Sequence, residues 1–397
     1  MNAQPKFVKP IDPDSLRPPS PFFGESHAAW RRSLRGWLAR EVAPHLDAWD
    51  EAGAVPRDLF VKAAQFGLIG AGYPEAYGGH ADGWDIFHGI VTSEELGALG
   101  AGGVTAALMV HGIGLPPILA LGSQALKAEI APLVLSGAAQ ISLGITEPGG
   151  GSDVAALTTR AVRDGASYRV TGAKTYITGG MTSRWLTTAV RTGGPGAGGI
   201  SLLLIDLEAP GVTRAPLKKQ GWWASDTAQI WLDGVVVAED RRIGPENGGF
   251  AGIMANFNGE RLGMAAGALA AARACLADAI DWARGRTTFG QRLADHQVIR
   301  HKIADMRRAI AAATSYLDLC AWRVSQGETP VADLCLLKVQ ATQTMEMCAR
   351  EASQILGGAS YIRGQRVERI YREVRVNAIG GGSEEIMKDL AARQMGL

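Results

Sequence analysis

The sequence of 397 residues has only four cysteines, and none of them belongs to a C-x-x-C pair. They are Cys275, Cys320, Cys335 and Cys348, and all lie in stretches with helical spacing. Structural zinc sites and redox motifs need close cysteine pairs, and small secreted domains held by disulfides are far richer in cysteine. We therefore predict buried free thiols in a reducing compartment and no metal site.

The chain also lacks an excess of charge of either sign. Lys and Arg total 40 and Asp and Glu total 39, so no basic surface for nucleic acid is indicated. No run of about 18 uncharged apolar residues occurs, so no membrane span is predicted. Residues 1–23 have neither the apolar core of a signal peptide nor the Arg-rich amphipathic pattern of a transit peptide. These absences favour a cytoplasmic protein.

The spacing of apolar residues divides the chain into three regions. The spacing is 3 or 4 residues from Glu25, changes to 2 near Ala139, and returns to 3 or 4 from Asn247. Seven short β-type runs without an intervening helix indicate a barrel or sandwich in the middle region. We predict an N-terminal arm (1–23), an N-terminal helical domain (24–138), a middle β domain (139–246) and a C-terminal helical bundle (247–397).

Several elements can be predicted within these regions. Ala101–His111 has the spacing of a helix, and Phe250–Arg284 is long, rich in Ala and free of proline. Tyr168–Thr171 and Thr175–Thr178 are predicted as two separate strands. Asp164-Gly165 is a strong signal for a hairpin turn before them.

The most distinctive stretch of the chain runs from Leu143 to Asp153. A short apolar strand leads into Glu-Pro, three consecutive glycines and Ser-Asp. Glycines let backbone N–H groups approach a bound group closely. The pattern is neither a dinucleotide-binding G-x-G-x-x-G nor a phosphate-binding loop ending in Gly-Lys-Ser/Thr, and by itself it also fits an ordinary glycine-rich turn.

Five motifs in order along the chain resemble those of the acyl-CoA dehydrogenase family of flavoproteins. Thr146–Asp153 is similar to the first family signature, and Lys174–Gly180 is similar to its second flavin strand. The other matches are Arg286–Gly290 with Gln297, Gln354–Gly358 and Gly380–Met387. The resemblance covers residues 24–397. It implies an α+β, three-domain fold with an N-terminal helical domain, a middle β-barrel or sandwich domain and a C-terminal four-helix bundle.

The resemblance also implies FAD as the cofactor and indicates the residues around it. Thr146 and Thr178 would offer hydroxyl and backbone groups to the flavin ring, and Tyr176 would pack on one ring face, where the family more often has Trp. Taken singly, each is equally well explained as a strand residue facing a core. The implied cofactor-binding residues are Leu143, Ile145, Thr146, Gly151, Ser152, Tyr176, Thr178, Arg286, Thr288, Phe289, Gln297, Gln354, Gly357, Gly358, Ser383 and Glu385.

The implied reaction is α,β-dehydrogenation of an acyl-CoA thioester, in which a base removes the α-proton and the β-hydrogen leaves as hydride to the flavin. The base must be desolvated, and the thioester oxygen must accept hydrogen bonds. Many family members carry the base where this chain has Gly381. In the long-chain and isovaleryl-type branches the base comes from the first long bundle helix, where this chain has Glu260.

Helical spacing supports Glu260 independently of the resemblance. An apolar stripe on that helix comprises Ile253, Phe257, Met264 and Gly267, and Glu260 lies within it. A lone carboxylate there costs free energy unless it is functional or forms a salt bridge, and the salt bridge is the alternative explanation.

Glu384 and Glu385 are the rival bases, but acids in the first turn of a helix are also explained by its positive end. The implied substrate-binding residues are Ser152, Asn258, Arg261, Gly381 and Gly382. The missing side chain at Gly381 favours a medium-to-long or methyl-branched acyl group.

The leading hypothesis is a homotetrameric enzyme, a dimer of dimers, that passes electrons to an electron-transferring flavoprotein. One alternative is an oxygen-using enzyme of the same fold, an acyl-CoA oxidase or a hydroxylase. The other is a flavin- or CoA-ester-binding protein without turnover, which the empty base position at Gly381 suggests.

Overall fold

The computed structural model describes residues 9–397, except the side chains of residues 255, 256 and 258. Contacts divide the chain into two compact units. The first unit contains the described residues up to Pro44, Asp85–Gly102 and Glu260–Leu397, and the second contains His45–Trp84 and Gly103–Gly259.

Thirteen α-helices form within the described residues. In chain order they are α1 (Glu25–Glu41), α2 (Leu46–Ala52), α3 (Asp58–Phe66), α4 (Ile86–Ala98), α5 (Gly102–Leu108), α6 (His111–Gly114), α7 (Pro116–Leu121), α8 (Gln124–Leu135), α9 (Gly249–Gly285), α10 (Gln297–Ser325), α11 (Val331–Leu356), α12 (Arg366–Ile379) and α13 (Glu384–Gln394).

Ten strands form in the same range. They are β1 (Ile141–Gly144), β2 (Arg160–Asp164), β3 (Ser167–Thr178), β4 (Trp185–Arg191), β5 (Ile200–Asp206), β6 (Val212–Pro216), β7 (Thr227–Ala238), β8 (Arg242–Ile243), β9 (Thr287–Thr288) and β10 (Gln291–Arg292). The order α, then β, then α agrees with the three-domain fold predicted from the sequence.

The second unit is built on one eight-stranded sheet. Its order is β6-β7-β3-β2-β4-β5-β8, and β1 pairs in parallel with β4. The predicted hairpin at Asp164-Gly165 is confirmed, because Asp164 lies opposite Ser167 in the antiparallel β2–β3 pair. Alternating apolar side chains of these strands, such as Val170, Ile230 and Leu203, are fully buried and form the core of this unit.

The structure differs from the predicted elements in three places. β3 is one continuous strand with two breaks in its register against β7, whereas two separate strands were predicted. The segment Ala101–His111 does not form one helix, because α5 ends at Leu108 and α6 begins at His111. Helix α12 was not predicted, because its charged residues hide the apolar spacing of Val367, Ile370 and Val374.

In the first unit, α9 packs against α4 at unusually short range. A Cβ atom placed on Gly97 would lie 2.3 Å from the carbonyl oxygen of Gly267. Only glycine at this position lets the two helix backbones approach so closely. This close contact between α4 and α9 therefore fixes the position of α9 at Gly267, two helical turns after Glu260.

Helix α9 is also long and apolar enough to satisfy the length and composition criteria for a membrane span. However, 72% of its most apolar window is buried inside the protein. Its alanine-rich faces pack against α10 and α11, with Leu269, Leu276 and Cys275 fully buried. Core helices of globular proteins share this composition, so we interpret α9 as the central helix of the bundle.

A buried ion cluster ties the N-terminal arm of the first unit to α4 and α9. The Glu94 carboxylate is fully buried and accepts from Arg17 Nε at 2.9 Å and from Arg31 Nη2 at 2.6 Å. Arg273 Nη2 lies 3.1 Å from the same carboxylate. The charge of Glu94 is thus shared among three guanidinium groups from different parts of the chain.

We expect Glu94→Gln to lower the free energy of unfolding by about 3–5 kcal/mol, the usual cost of removing one partner from a buried ion pair. Urea unfolding followed by circular dichroism measures the change. The matched control is Glu25→Gln, because Glu25 forms an exposed ion pair with Arg32 that should contribute almost nothing. Equal stability of the two variants would contradict the role given to the buried cluster.

Candidate active site

The glycine-rich segment of the second unit forms a tight, open turn. Glu147 and Gly150 exchange two backbone hydrogen bonds of 3.0 Å each. Apart from the adjoining residues, no atom of the described part of the chain lies within 4 Å of where a Cβ would stand on Gly149 or Gly150, and both residues are exposed. Their backbone is therefore free to approach a bound group, as the sequence led us to expect.

Two charged side chains hold this turn from inside. Lys174 is fully buried, and its Nζ donates to the Ile145 carbonyl at 3.0 Å and to Glu147 Oε1 at 2.8 Å. Glu147 also accepts from Thr158 N and Oγ1 and from Thr159 N, at 2.6–2.9 Å. Burial lowers the pKa of Lys174 to about 8, and Glu147 opposes that shift.

The pKa of Glu147 is low for a related reason. Burial by itself would raise it, but the ammonium group of Lys174 and the hydrogen bonds from Thr158 and Thr159 lower it to about 2. Both members of the pair are therefore charged at neutral pH, so this carboxylate is unsuited to accept a proton.

Tyr176 is presented to solvent on strained backbone beside the turn. Its φ is +58°, which is unfavourable for any residue with a Cβ, and 71% of the residue is exposed. The flanking Thr175 N–H donates to the Thr146 carbonyl at 2.9 Å. An exposed aromatic ring next to an open glycine turn fits one face of a flat, apolar flavin ring.

The second unit brings most of the predicted flavin-ring residues together. β1 and the turn carry Leu143, Ile145, Thr146, Gly151 and Ser152, and the end of β3 carries Tyr176 and Thr178. Thr175 N–H to Thr146 O joins the two segments directly, and Ser142 Oγ donates to the Thr178 carbonyl at 2.7 Å.

The remaining predicted cofactor residues lie in the first unit. Phe289 is 99% exposed at φ +50°, at the tip of the β9–β10 hairpin, which also carries Thr288. Gln354, Gly357 and Gly358 are exposed at the C-terminal end of α11, and Arg286 and Gln297 are exposed on either side of the hairpin. Ser383 caps α13 by accepting from Ile386 N at 3.4 Å, and Glu385 is exposed in the first turn of that helix.

Glu260 has the environment expected of a base. The residue keeps some contact with solvent, yet burial raises the pKa of its carboxyl group to about 8, with Arg261 acting in the opposite direction. Arg261 is itself buried. The side chain of Asn258, a predicted substrate residue, lies outside the part of the chain that the structure describes.

The triple glycine before α13 has a conformation that side chains disfavour. Gly381 has φ +68° and Gly382 has φ +108°. A Cβ on Gly381 would lie 2.9 Å from Met264 Sδ, one helical turn beyond Glu260 on α9. The place beside Gly381 is therefore occupied by Met264 rather than left open, which reduces the extra room expected from the sequence.

A second fully buried lysine supports the triple glycine. Lys338 on α11 donates from Nζ to the Gly382 carbonyl at 2.8 Å. Burial lowers the pKa of Lys338 to about 8, and the carboxylate of Glu384 opposes the shift. This contact fixes the turn that contains the predicted substrate residues Gly381 and Gly382.

Glu384 and Glu385 have surroundings that fit a helix start. Gln343 Nε2 donates to Glu384 at 2.8 Å. Hydrogen bonds from the backbone of Glu385 itself and from Ser383 lower the pKa of the exposed Glu385. The lowered pKa of Glu385 makes it a poor base. Glu384 is held by Gln343 at the start of α13, so Glu260 remains the better candidate.

Sequence reasoning missed the two buried lysines and the contact of Met264 with Gly381. A signal for Lys338 was present, because this lysine lies within the apolar run Leu336-Leu337-Lys338-Val339. The burial of Lys174 could not be predicted, because the two bulges in β3 change which of its residues face the core.

One group of three metal-type side chains occurs among the described residues, formed by His27, Asp85 and His88. Asp85 is the N-cap of α4 and accepts from the backbone of Phe87 and His88. His27 Nδ1 accepts from the Gly24 N–H at 2.8 Å, so its proton lies on Nε2, which faces Asp85 at 2.9 Å. A protonated nitrogen has no lone pair for a metal, and we interpret the cluster as a helix cap.

Family models match almost the whole chain. The N-terminal domain of acyl-CoA dehydrogenases matches residues 24–138, the middle domain residues 142–235 and the C-terminal domain residues 247–396.

Individual proteins agree with these matches. Acyl-CoA dehydrogenase AFT10-1 of Alternaria alternata is 36% identical over 402 residues, which is 95% of this chain and 93% of that protein. Long-chain specific acyl-CoA dehydrogenase of Rattus norvegicus mitochondria is 31% identical over 381 residues, 94% of this chain and 87% of that protein. A crystal structure of a probable acyl-CoA dehydrogenase from Mycobacterium abscessus has 44% identity and a TM-score of 0.92, covering 94% of this chain and 99% of that one.

Proposed function

The chain belongs to the acyl-CoA dehydrogenase family, and on that premise we propose that Glu260 is the catalytic base and that the substrate is a medium-to-long or methyl-branched acyl-CoA. Membership establishes the reaction class, an oxidoreductase that acts on the Cα–Cβ bond of acyl-CoA thioesters. The observation that carries the proposal is the partly buried Glu260 carboxyl group on α9, whose pKa desolvation raises to about 8.

The enzymes of this family use FAD, which accepts the β-hydrogen of the substrate as a hydride. In this chain Thr146, Tyr176 and Thr178 would hold the flavin ring, with the open turn at Gly149–Gly150 beside it. The strained, exposed Tyr176 is the observation that supports this fit. The proposed roles of Phe289 and of Gly357–Gly358 at the far end of the cofactor follow from the family resemblance.

Glu260 would take the α-proton of the substrate onto its carboxylate oxygen. Burial raises its pKa and so brings its basicity closer to that needed for a weak carbon acid. The Gly381 N–H would donate to the thioester oxygen as negative charge develops there, which needs no side chain. Lys338 would hold that N–H in place through the Gly382 carbonyl.

The proposal for the acyl group rests on two observations. The long-chain specific relative is named for long acyl chains, and it is 31% identical to this chain. Met264 beside Gly381 is a flexible side chain that adapts to irregular apolar shapes. We further propose a cytoplasmic homotetramer, a dimer of dimers, that passes electrons to an electron-transferring flavoprotein.

An anaerobic titration of the purified protein with acyl-CoAs of varied length and branching tests the proposal. Bleaching of the flavin absorbance by some members of the series, followed by slow reoxidation in air, is the expected result. Fast reoxidation in air would instead favour an oxygen-using enzyme of the same fold. Binding of FAD without bleaching by any acyl-CoA would favour a flavin- or CoA-ester-binding protein.

We expect the rate of flavin reduction at low acyl-CoA concentration to rise with pH and to level off above about pH 8. Only the deprotonated form of Glu260 accepts the α-proton, and the pKa of about 8 means that this form is the minority at neutral pH. Rapid mixing under anaerobic conditions between pH 6 and 9.5 measures the profile. A rate already level from pH 6 would contradict a base with this pKa.

The stability of the protein provides a check that is independent of activity. The raised pKa means that the folded protein holds a proton on Glu260 that the unfolded chain, with an ordinary value of 4.5, releases. The contribution of Glu260 to stability is complete below pH 4.5 and is lost as pH rises towards 8, by at most about 1.4 kcal/mol per pH unit. Glu260→Gln should remove this slope.

A further inference from the structure

We propose that Lys174, through its ion pair with Glu147, is a positioning residue that presents Tyr176 to the FAD ring. The inference rests on the proposed function, because it takes Tyr176 as a ring contact. It assigns a role to two buried charges that the reaction itself does not use.

The first step is the anchoring of the glycine-rich turn. Lys174 has no solvent exposure, and its ammonium group contacts the Ile145 carbonyl and the Glu147 carboxylate. A buried charge without partners is strongly unfavourable. The position of the Ile145–Glu147 backbone is therefore tied to the position of Lys174 on β3.

The second step extends this anchoring to a third segment. The Glu147 carboxylate also accepts from Thr158 N and Oγ1 and from Thr159 N. The chain just before β2, the glycine-rich turn and β3 thus meet at one carboxylate. A network in which every member is satisfied holds a single arrangement more firmly than apolar contacts do.

The third step concerns the backbone immediately after Lys174. In the β3–β7 pair, Lys174 lies opposite Ile230 and Ile177 lies opposite Ala228. Two residues of β3, Thr175 and Tyr176, therefore lie opposite a single residue of β7, which is a β-bulge. Thr175 uses its N–H for the Thr146 carbonyl in the anchored turn.

The orientation of the Tyr176 ring depends on this bulge. A tyrosine at φ +58° is unfavourable and persists only when its surroundings require it. The buried ion pair of Lys174 and the hydrogen bond from Thr175 N–H to the Thr146 carbonyl hold the backbone of Tyr176 in this conformation. A shift of one residue in the strand would turn side chains to the opposite face, so loss of the anchor should reorient the Tyr176 ring.

The test compares FAD affinity with stability in Lys174→Met and in the milder Glu147→Gln. Flavin-free protein is titrated with FAD while the flavin fluorescence is followed, and the melting temperature of the same flavin-free protein is recorded. We expect FAD to bind about 10- to 100-fold more weakly, by analogy with the loss in metal sites when a residue that orients a ligand is replaced. The fluorescence of bound FAD should rise, because Tyr176 no longer stacks on the ring.

Tyr168→Phe is the matched control. Tyr168 is also buried on β3, and its hydroxyl forms hydrogen bonds with Arg163, Arg242 and Glu246, away from the glycine-rich turn. This variant should lower the melting temperature and leave FAD affinity unchanged. If it weakens FAD as much as Lys174→Met does, FAD binding follows general stability and the proposal is overturned.

A double variant separates positioning from structural support. If Lys174 acts through Tyr176, Lys174→Met should weaken FAD binding much less in a Tyr176→Ala background than in the wild type. Fully additive losses would overturn the proposal. A wild-type protein that binds no FAD would refute the proposed function instead, and Glu147→Gln keeps the test available if Lys174→Met does not fold.

Discussion

Glu260→Gln is expected to slow flavin reduction by an acyl-CoA about 10²- to 10⁴-fold, the usual contribution of a general base. Glutamine keeps the shape of the side chain but cannot accept the α-proton. FAD content and acyl-CoA binding should change little, because neither depends on that proton. Single-turnover reduction under nitrogen, followed by the flavin absorbance, separates the chemical step from binding.

The controls for this prediction are Glu384→Gln and Glu385→Gln. Both carboxylates lie in the first turn of α13; Glu384 accepts a hydrogen bond from Gln343, and the pKa of Glu385 is lowered. Glu384→Gln should reduce its flavin within a few-fold of the wild-type rate. Glu385→Gln, whose position is implied in cofactor binding, should do the same once it is saturated with added FAD. If Glu260→Gln stays active and one of these controls does not, that glutamate is the base.

Gly381→Glu is expected to abolish flavin reduction, although it places a carboxylate where many relatives have their base. A Cβ at this position would stand 2.9 Å from Met264 Sδ, and φ of +68° disfavours any side chain. The turn would have to move, and the Gly381 N–H would move with it. The same substitution should therefore fail to restore activity to Glu260→Gln.

Gly327→Glu is the matched control for Gly381→Glu. Gly327 also has positive φ (+84°), in the connection between α10 and α11, but among the residues that the structure describes none beyond its chain neighbours comes within 4 Å of its Cβ position. Gly327→Glu introduces the same backbone strain as Gly381→Glu but no steric clash, so it should retain full activity. Flavin reduction at wild-type rate by the Glu260→Gln, Gly381→Glu double variant would show that the turn accepts a side chain after all.

The order of the domains and the long helices were predictable because they follow local spacing. The apolar residues of α9 recur at every helical turn, and the glycines and the Asp164-Gly165 pair mark turns by their own conformational preferences. Glu260 stood out for the same reason, as one carboxylate in an apolar stripe. These features need only a few neighbouring residues to be recognised.

The interior of the candidate site was not predictable in this way. Lys174 and Glu147 are 27 positions apart, and Lys338 and Gly382 are 44 positions apart. A lysine in a strand is normally exposed, so burial of Lys174 depends on a carboxylate that only the folded chain brings near it. The bulge at Tyr176 likewise results from a hydrogen bond to a distant turn.

The exposed ring of Phe289 has a consequence for how the protein behaves on dilution. In the proposed homotetramer, a second copy of the chain would cover this ring, and Phe289 would contact the far end of the FAD bound to that copy. Retention of FAD then becomes coupled to association, because whatever binds only the assembled form stabilises it by mass action. Two equilibria that look separate, cofactor loss and subunit dissociation, would shift together with protein concentration.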